Sequence, residues 1–111
     1  MVFYGRRNIR ENKMNKYTRV IEELEKGNQV SMKVFGQSMM PIIKSGTKLT
    51  FEKKDKYEIG DIVMCKCHGR IIDAHKITKI NEEKGYMIAN NHGFENGWTK
   101  NVFGKVIKIG E

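Results

Sequence analysis

Met14, Tyr17, Val20, Ile21 and Leu24 recur at helical spacing, with Glu22, Glu23, Glu25 and Lys26 outside that stripe. The pattern predicts one amphipathic helix from about residue 12 to 26, stopped by Gly27-Asn28. After Gly27 the period shortens to two. Val30, Met32 and Val34 alternate with polar neighbours in a strand that runs into a turn at Ser38. Pro41 to Gly46 reads as a short turn or a single helical turn, and Lys48 to Glu52 as a second strand. A charged loop (Lys53 to Glu58) and a turn at Ile59-Gly60-Asp61 lead into the apolar strand Ile62 to Cys67. His68-Gly69 makes a hairpin with the return strand Arg70 to Ile80. Beyond the turn Asn81 to Gly85 comes the strand Tyr86 to Ala89, then a loop rich in Asn and Gly from Asn90 to Gly97, leading to Trp98. The last strand, Val102 to Ile109, contains Gly104, which marks a bulge or a close packing point. The expected fold is mainly β: a small, highly curved sheet or partial barrel with one N-terminal helix. Residues 1–11 show no periodicity and read as a flexible basic arm, leaving residues 12–111 as a single domain.

Composition adds limits to this picture. With 39% apolar and 31% charged residues, the chain has the balance of an ordinary soluble globular domain. Its apolar runs are too short to span a bilayer, and the charged N-terminus has no apolar stretch behind it, so neither membrane insertion nor a signal peptide is expected. A cytoplasmic location is the default. The net charge of +8, from 21 basic and 13 acidic residues, favours nucleic acid or an acidic partner. The basic residues are scattered, however, as in Lys53, Lys54 and Lys56 or Arg6, Arg7 and Arg10, so a dedicated nucleic-acid surface is the weaker expectation. Cys65 and Cys67 fall on one strand face, too close along the chain for an easy disulfide. With His68 and His75 they offer metal ligands, but zinc sites build on two-residue Cys spacings and no second Cys pair exists. No metal or other cofactor is expected. Two half-buried strand thiols suggest a reducing compartment.

The candidate chemistry centres on Phe35-Gly36-Gln37-Ser38-Met39-Met40-Pro41. A tight turn after a strand presents a serine Oγ outward with backbone N–H groups nearby, and Gly36, Gln37 and Met39 would shape such a site. The bland alternative is a turn serine bonded to its own backbone. A nucleophilic serine needs a neighbour to take its proton, and the strand Ile71 to Ile77 offers His75 and Lys76. Alternation puts these two on opposite faces, so only one can face Ser38. Each also has a plain structural role open to it, as a hydrogen-bonded histidine or a solvated strand charge.

The run Gly36-Gln37-Ser38-Met39-Met40-Pro41-Ile42-Ile43-Lys44-Ser45-Gly46 resembles the Gly-x-Ser-Met-x-Pro-x-x-x-x-Gly signature of the LexA and signal-peptidase superfamily of serine peptidases. Gly60-Asp61-Ile62-Val63 is similar to its second box, His75-Lys76-Ile77 to the box that carries the base, and Val102-Phe103-Gly104-Lys105-Val106 to its closing strand. The resemblance covers about residues 30 to 109, and the segment Asn90 to Trp98 also resembles small stand-alone phage or prophage peptidase-like members. It implies a coiled, mostly antiparallel sheet of the LexA C-terminal-domain type, with the catalytic pair in a groove. Residue by residue, it implies Ser38 as nucleophile and His75 as base, with Lys76 second if the register slips by one.

The match has departures. Gly46-Thr47 stands where many relatives have Gly-Asp, and Ile88-Ala89-Asn90-Asn91 lacks the acid of the histidine-type box. Asp73 and Glu95 are the nearby acids that could orient His75. No Ala-Gly or Cys-Gly bond of the kind used for self-cleavage precedes Ser38. The amides of Asn90, Asn91 and Asn96 are candidate contacts to the backbone of a ligand or peptide, or parts of a structural turn capped by Trp98. Two functions follow: a peptidase with a Ser–His (or Ser–Lys) dyad, or a catalytically inactive binding or regulatory module contacting a protein or nucleic acid.

Overall fold

The computed structural model describes residues 17–110; the expected basic arm and the start of the helix lie outside them. Helix α1 is described over residues 17–25, with Val20 and Leu24 buried and Tyr17 and Ile21 half-buried, as the stripe predicts. Its end is a Schellman motif. Gly27, at φ 93°, donates to the Leu24 carbonyl at 3.0 Å, and Asn28 donates to that of Glu23 at 3.0 Å.

Seven strands follow: β1 (Val30–Val34), β2 (Thr47–Glu52), β3 (Ile62–Cys67), β4 (Arg70–Asn81), β5 (Gly85–Ala89), β6 (Glu95–Thr99) and β7 (Asn101–Ile109). They form one sheet in the order β1-β2-β7-β3-β4-β5-β6, with every pairing antiparallel. Every pairing except β1–β2 carries a register shift. Such bulges bend strands and deepen twist, and here they coil the sheet without closing it. The coiling brings β6 back toward β3, where the Thr99 hydroxyl donates to the Lys66 carbonyl at 2.5 Å. The expected coiled antiparallel sheet with one helix is therefore what the chain forms among its described residues.

One strand was not foreseen. Residues 95–97 read as the end of the loop Asn90 to Gly97, because Asn96 and Gly97 are poor strand formers. Pairing with β5 (Met87 opposite Trp98, Ile88 opposite Gly97) overrides that local preference. Gly97 adopts φ 138°, and a Cβ there would lie 2.5 Å from His68 Nε2. Glycine is needed where β6 passes the β3–β4 turn.

The sheet carries apolar residues on both faces. Val20 and Leu24 of α1 pack with Leu49, Phe51, Met64 and Ala74 on one side, while Tyr57, Val63, Cys65, Ile77 and Ile88 form a second cluster. β3 serves both, which explains the unbroken apolar run from Ile62 to Cys65. Cys65 and Cys67 are fully buried rather than half-buried, because β3 is an interior strand. Gly104 is buried where a Cβ would meet the Glu52 carbonyl and Leu24, each at 3.2 Å, so it is a close packing point beside a register shift. Burying Leu24 and Phe51 completely contributes roughly 1.5–3 kcal/mol each by transfer.

Candidate functional site

Ser38 sits in the connection from β1 to β2, and this connection is closed at its neck. Gly46 N–H donates to the Val34 carbonyl at 2.7 Å, and Gly36 N–H donates to Ser45 Oγ at 3.0 Å. Gly36 holds φ 116°, a value open to glycine and strained for other residues. Within the turn, Met40 N–H donates to the Gln37 carbonyl at 3.2 Å and Ile43 N–H to that of Met39 at 2.9 Å. Met39 and Ile43 are buried in the helix-side core, so the turn is anchored by packing as well as by hydrogen bonds.

The loop between β5 and β6 clamps this turn from outside. Asn91 N–H donates to the Ser38 carbonyl at 2.8 Å, Asn91 Nδ2 donates to that of Met40 at 3.0 Å, and His92 Nε2 pairs with that of Gln37 at 2.9 Å. Asn90 Oδ1 organises the loop itself, accepting from the N–H groups of His92 and Phe94 at 2.8 and 3.0 Å. Asn90 and Asn91 are thus engaged with the chain's own backbone. The serine turn and the clamp are more than fifty residues apart in sequence, so no local signal reveals their contact.

The clamp has a consequence for the backbone around Ser38. The peptide bonds on either side of it are trans and planar, so a carbonyl pointing one way turns the following N–H the other way. With the Gln37 and Ser38 carbonyls held by the loop, the N–H groups of Ser38 and Met39 are turned away from it. Among the described residues neither N–H donates to a protein acceptor.

β4 brings the second half of the site. Ser38 and His75 line one groove of about 480 Å³, with Asn96 also in its wall and the exposed rings of Phe35 and Phe94 at its rim. Lys76 is not part of that lining. Its Nζ reaches Asn91 Oδ1 at 3.3 Å, so the lysine supports the clamp. No hydrogen bond joins Ser38 Oγ to His75 or Lys76 among the described residues. Burial pushes the His75 pKa below its usual value, outweighing the Ala74 carbonyl and the Asp73 charge, which favour the imidazolium. His75 Nδ1 is buried with no well-formed hydrogen bond.

Neither nearby acid orients that ring. Asp73 is hydrogen-bonded to Tyr17 of α1, and burial, with this contact second, pushes the tyrosine up to about 12. Glu95 pairs with Lys79 at 3.2 Å. Asn96 Oδ1 is a second buried, unpartnered polar atom of the groove wall. Sequence reasoning did not single out Arg70, which also lines the groove; its place after the His68-Gly69 turn was readable, but the groove was not. Among the described residues, no three His, Cys, Asp or Glu side chains converge as a metal site requires, and no helix is long and apolar enough to cross a membrane.

No curated protein matches the chain. A family model described as Peptidase S24-like matches residues 3–107, which takes in the serine turn, β4, the clamp loop and nearly all of the closing strand. With that match running almost the whole length of the sequence, the chain belongs to the Peptidase S24-like family, within the LexA and signal-peptidase superfamily.

Proposed function

We propose that the chain is a serine peptidase-type acyl-transfer protein, with Ser38 as nucleophile and His75 as general base. The observation that carries this reading is the shared groove: Ser38 and His75, whose burial favours the neutral imidazole, line it together, while Lys76 is occupied with Asn91. In the reaction, Ser38 Oγ attacks a peptide carbonyl and its proton passes to the His75 imidazole. The C–N bond then breaks, and the imidazolium gives that proton to the leaving amine. Water repeats the attack on the acyl-enzyme: His75 takes its proton, the acyl–Oγ bond breaks, and Ser38 regains a proton as the acid leaves. The unpaired N–H groups of Ser38 and Met39 support a role as oxyanion donors. The apolar rim suits an extended peptide or protein substrate.

One feature favours a second reading, in which the groove holds a protein partner without cleaving it. His75 Nδ1 has no carboxylate to fix its tautomer, a control whose loss costs about 10⁴ in kcat in a Ser-His-Asp triad.

Labelling with a fluorophosphonate probe separates the two. The peptidase reading expects stoichiometric modification at Ser38, abolished in Ser38→Ala, strongly slowed in His75→Ala and retained in Lys76→Ala. Equal labelling of all four proteins, or none of the wild type, leaves the binding reading. Loss in Lys76→Ala with retention in His75→Ala transfers the base to the lysine.

A further inference from the structure

The end of the coiled sheet formed by three connections carries a second concavity, made of residues that, His68 apart, do not line the serine groove. Lys66 and His68 come from the β3–β4 hairpin, Lys84 from the β4–β5 turn, and Trp98 and Lys100 from the junction of β6 and β7. Together they line an open pocket of about 550 Å³, within the roughly 300–1,000 Å³ range of small-ligand sites. Its floor is fixed, since buried Thr99 donates to the Lys66 carbonyl at 2.5 Å and accepts from Asn101 N–H at 3.0 Å.

Charge in this pocket is one-sided. Lys66, Lys84 and Lys100 are exposed, and among the described residues none has a carboxylate partner, whereas Lys26, Lys54, Lys79 and Lys105 each do. Glu82 and Glu83 share the β4–β5 turn with Lys84, but no acidic residue lines the pocket. Lys84 Nζ rests over the Trp98 ring at 5.6 Å from its centroid. That face of the ring is covered by a cation of the chain itself, the kind of group its negative π-surface attracts, and a planar base must displace it to stack there.

We infer that this pocket binds single-stranded nucleic acid, with a base stacked on Trp98 and the flanking phosphates on Lys66, Lys84 and Lys100. Lys84 leaves the ring for a phosphate as the base arrives, so one movement creates both contacts. A concave pocket with a tryptophan ring in its lining suits an unpaired base, whose face is hidden in a duplex. The site is independent of the acyl-transfer reading.

Trp98 is the chain's only tryptophan, so its fluorescence reports on this pocket alone. Titration with a short oligothymidine should quench it saturably, with log K falling against log salt at a slope near −2 for three phosphates. Lys66→Ala, Lys84→Ala and Lys100→Ala should each flatten that slope by about 0.7. Trp98→Leu, followed by anisotropy of a labelled strand, should weaken binding roughly five- to hundredfold and leave the slope unchanged. Ser38→Ala should bind as wild type. The inference is overturned by no quenching, by equal binding of a duplex, or by an equal slope change from Lys53→Glu/Lys56→Glu in the separate β2–β3 loop. Quenching by inorganic phosphate as strong as by the oligonucleotide also overturns it, since the base would then contribute nothing.

Discussion

Asn91→Ala is the sharpest test of how the serine turn is held. The substitution leaves the backbone bond from residue 91 to the Ser38 carbonyl but deletes two side-chain bonds, Nδ2 to the Met40 carbonyl at 3.0 Å and Lys76 Nζ to Oδ1 at 3.3 Å. A neutral hydrogen bond contributes about 0.5–1.5 kcal/mol, and one to a charged group about 1.5–3 kcal/mol. The lysine bond is long and only partly buried, so its share falls at the low end. The expected loss is about 2–3 kcal/mol, or roughly 10 °C in Tm for a domain of this size. Urea denaturation followed by Trp98 fluorescence measures it. Lys76→Ala should cost less alone and add little in the Asn91→Ala background, giving a coupling of about 0.5–1.5 kcal/mol. If Asn91→Ala costs under about 0.5 kcal/mol with the denaturant slope unchanged, the clamp does not hold the turn.

Other expectations follow from single contacts. His75 has a folded pKa below its unfolded value of about 6.5, so the unfolded chain takes up a proton first as pH falls. Stability should therefore be full above about pH 6.5 and decline on acidification through the folded pKa; His75→Gln should remove that part of the decline in denaturation curves taken across pH. Gly85→Ala places a Cβ on the Thr99 carbonyl oxygen at φ 94°, and should cost about 3 kcal/mol or more by thermal melting. Burial pushes the Cys65 thiol up to about 12, so iodoacetamide at pH 8 should modify it only in denaturant, as peptide mass mapping would show. Asp61 pairs with Lys105 at 3.2 Å and accepts the Glu58 N–H at 2.9 Å. Asp61→Asn should cost about 1–2 kcal/mol, whereas Glu23→Gln, at an exposed pair, should leave the denaturation midpoint unchanged.

The strands were legible where burial is periodic. β1 alternates because one face meets α1, and β3 is apolar from Ile62 to Cys65, before the exposed Lys66, because the sheet is covered on both sides of it there. The two-residue hairpin was legible too: His68 and Gly69 both take positive φ, at 52° and 78°. β6 was not, since Asn96 and Gly97 are held extended by their β5 partners and by the passage past His68. The site divides the same way. Ser38 and His75 stand out by residue type and motif, and the groove lined by both depends on β1 and β4 lying within one coiled sheet. Asn91 drew attention as an amide in a glycine-rich loop, but its contact with the Ser38 carbonyl is a long-range one that no local pattern encodes.

Local chemistry along the chain was enough to set the helix, most of the strands and the turn residues, while the choice of Ser38 and His75 as the candidate pair came from the family resemblance. The helix, strands and turns depend on each residue and its near neighbours, through backbone preference and burial period. Tertiary structure alone decided which face His75 presents, that Lys76 serves the clamp, that Asp73 is taken by Tyr17, and that lysines from three connections meet around Trp98. Each of these depends on the bulges that coil the sheet and bring distant segments into contact, and a bulge shows itself only once two strands are paired.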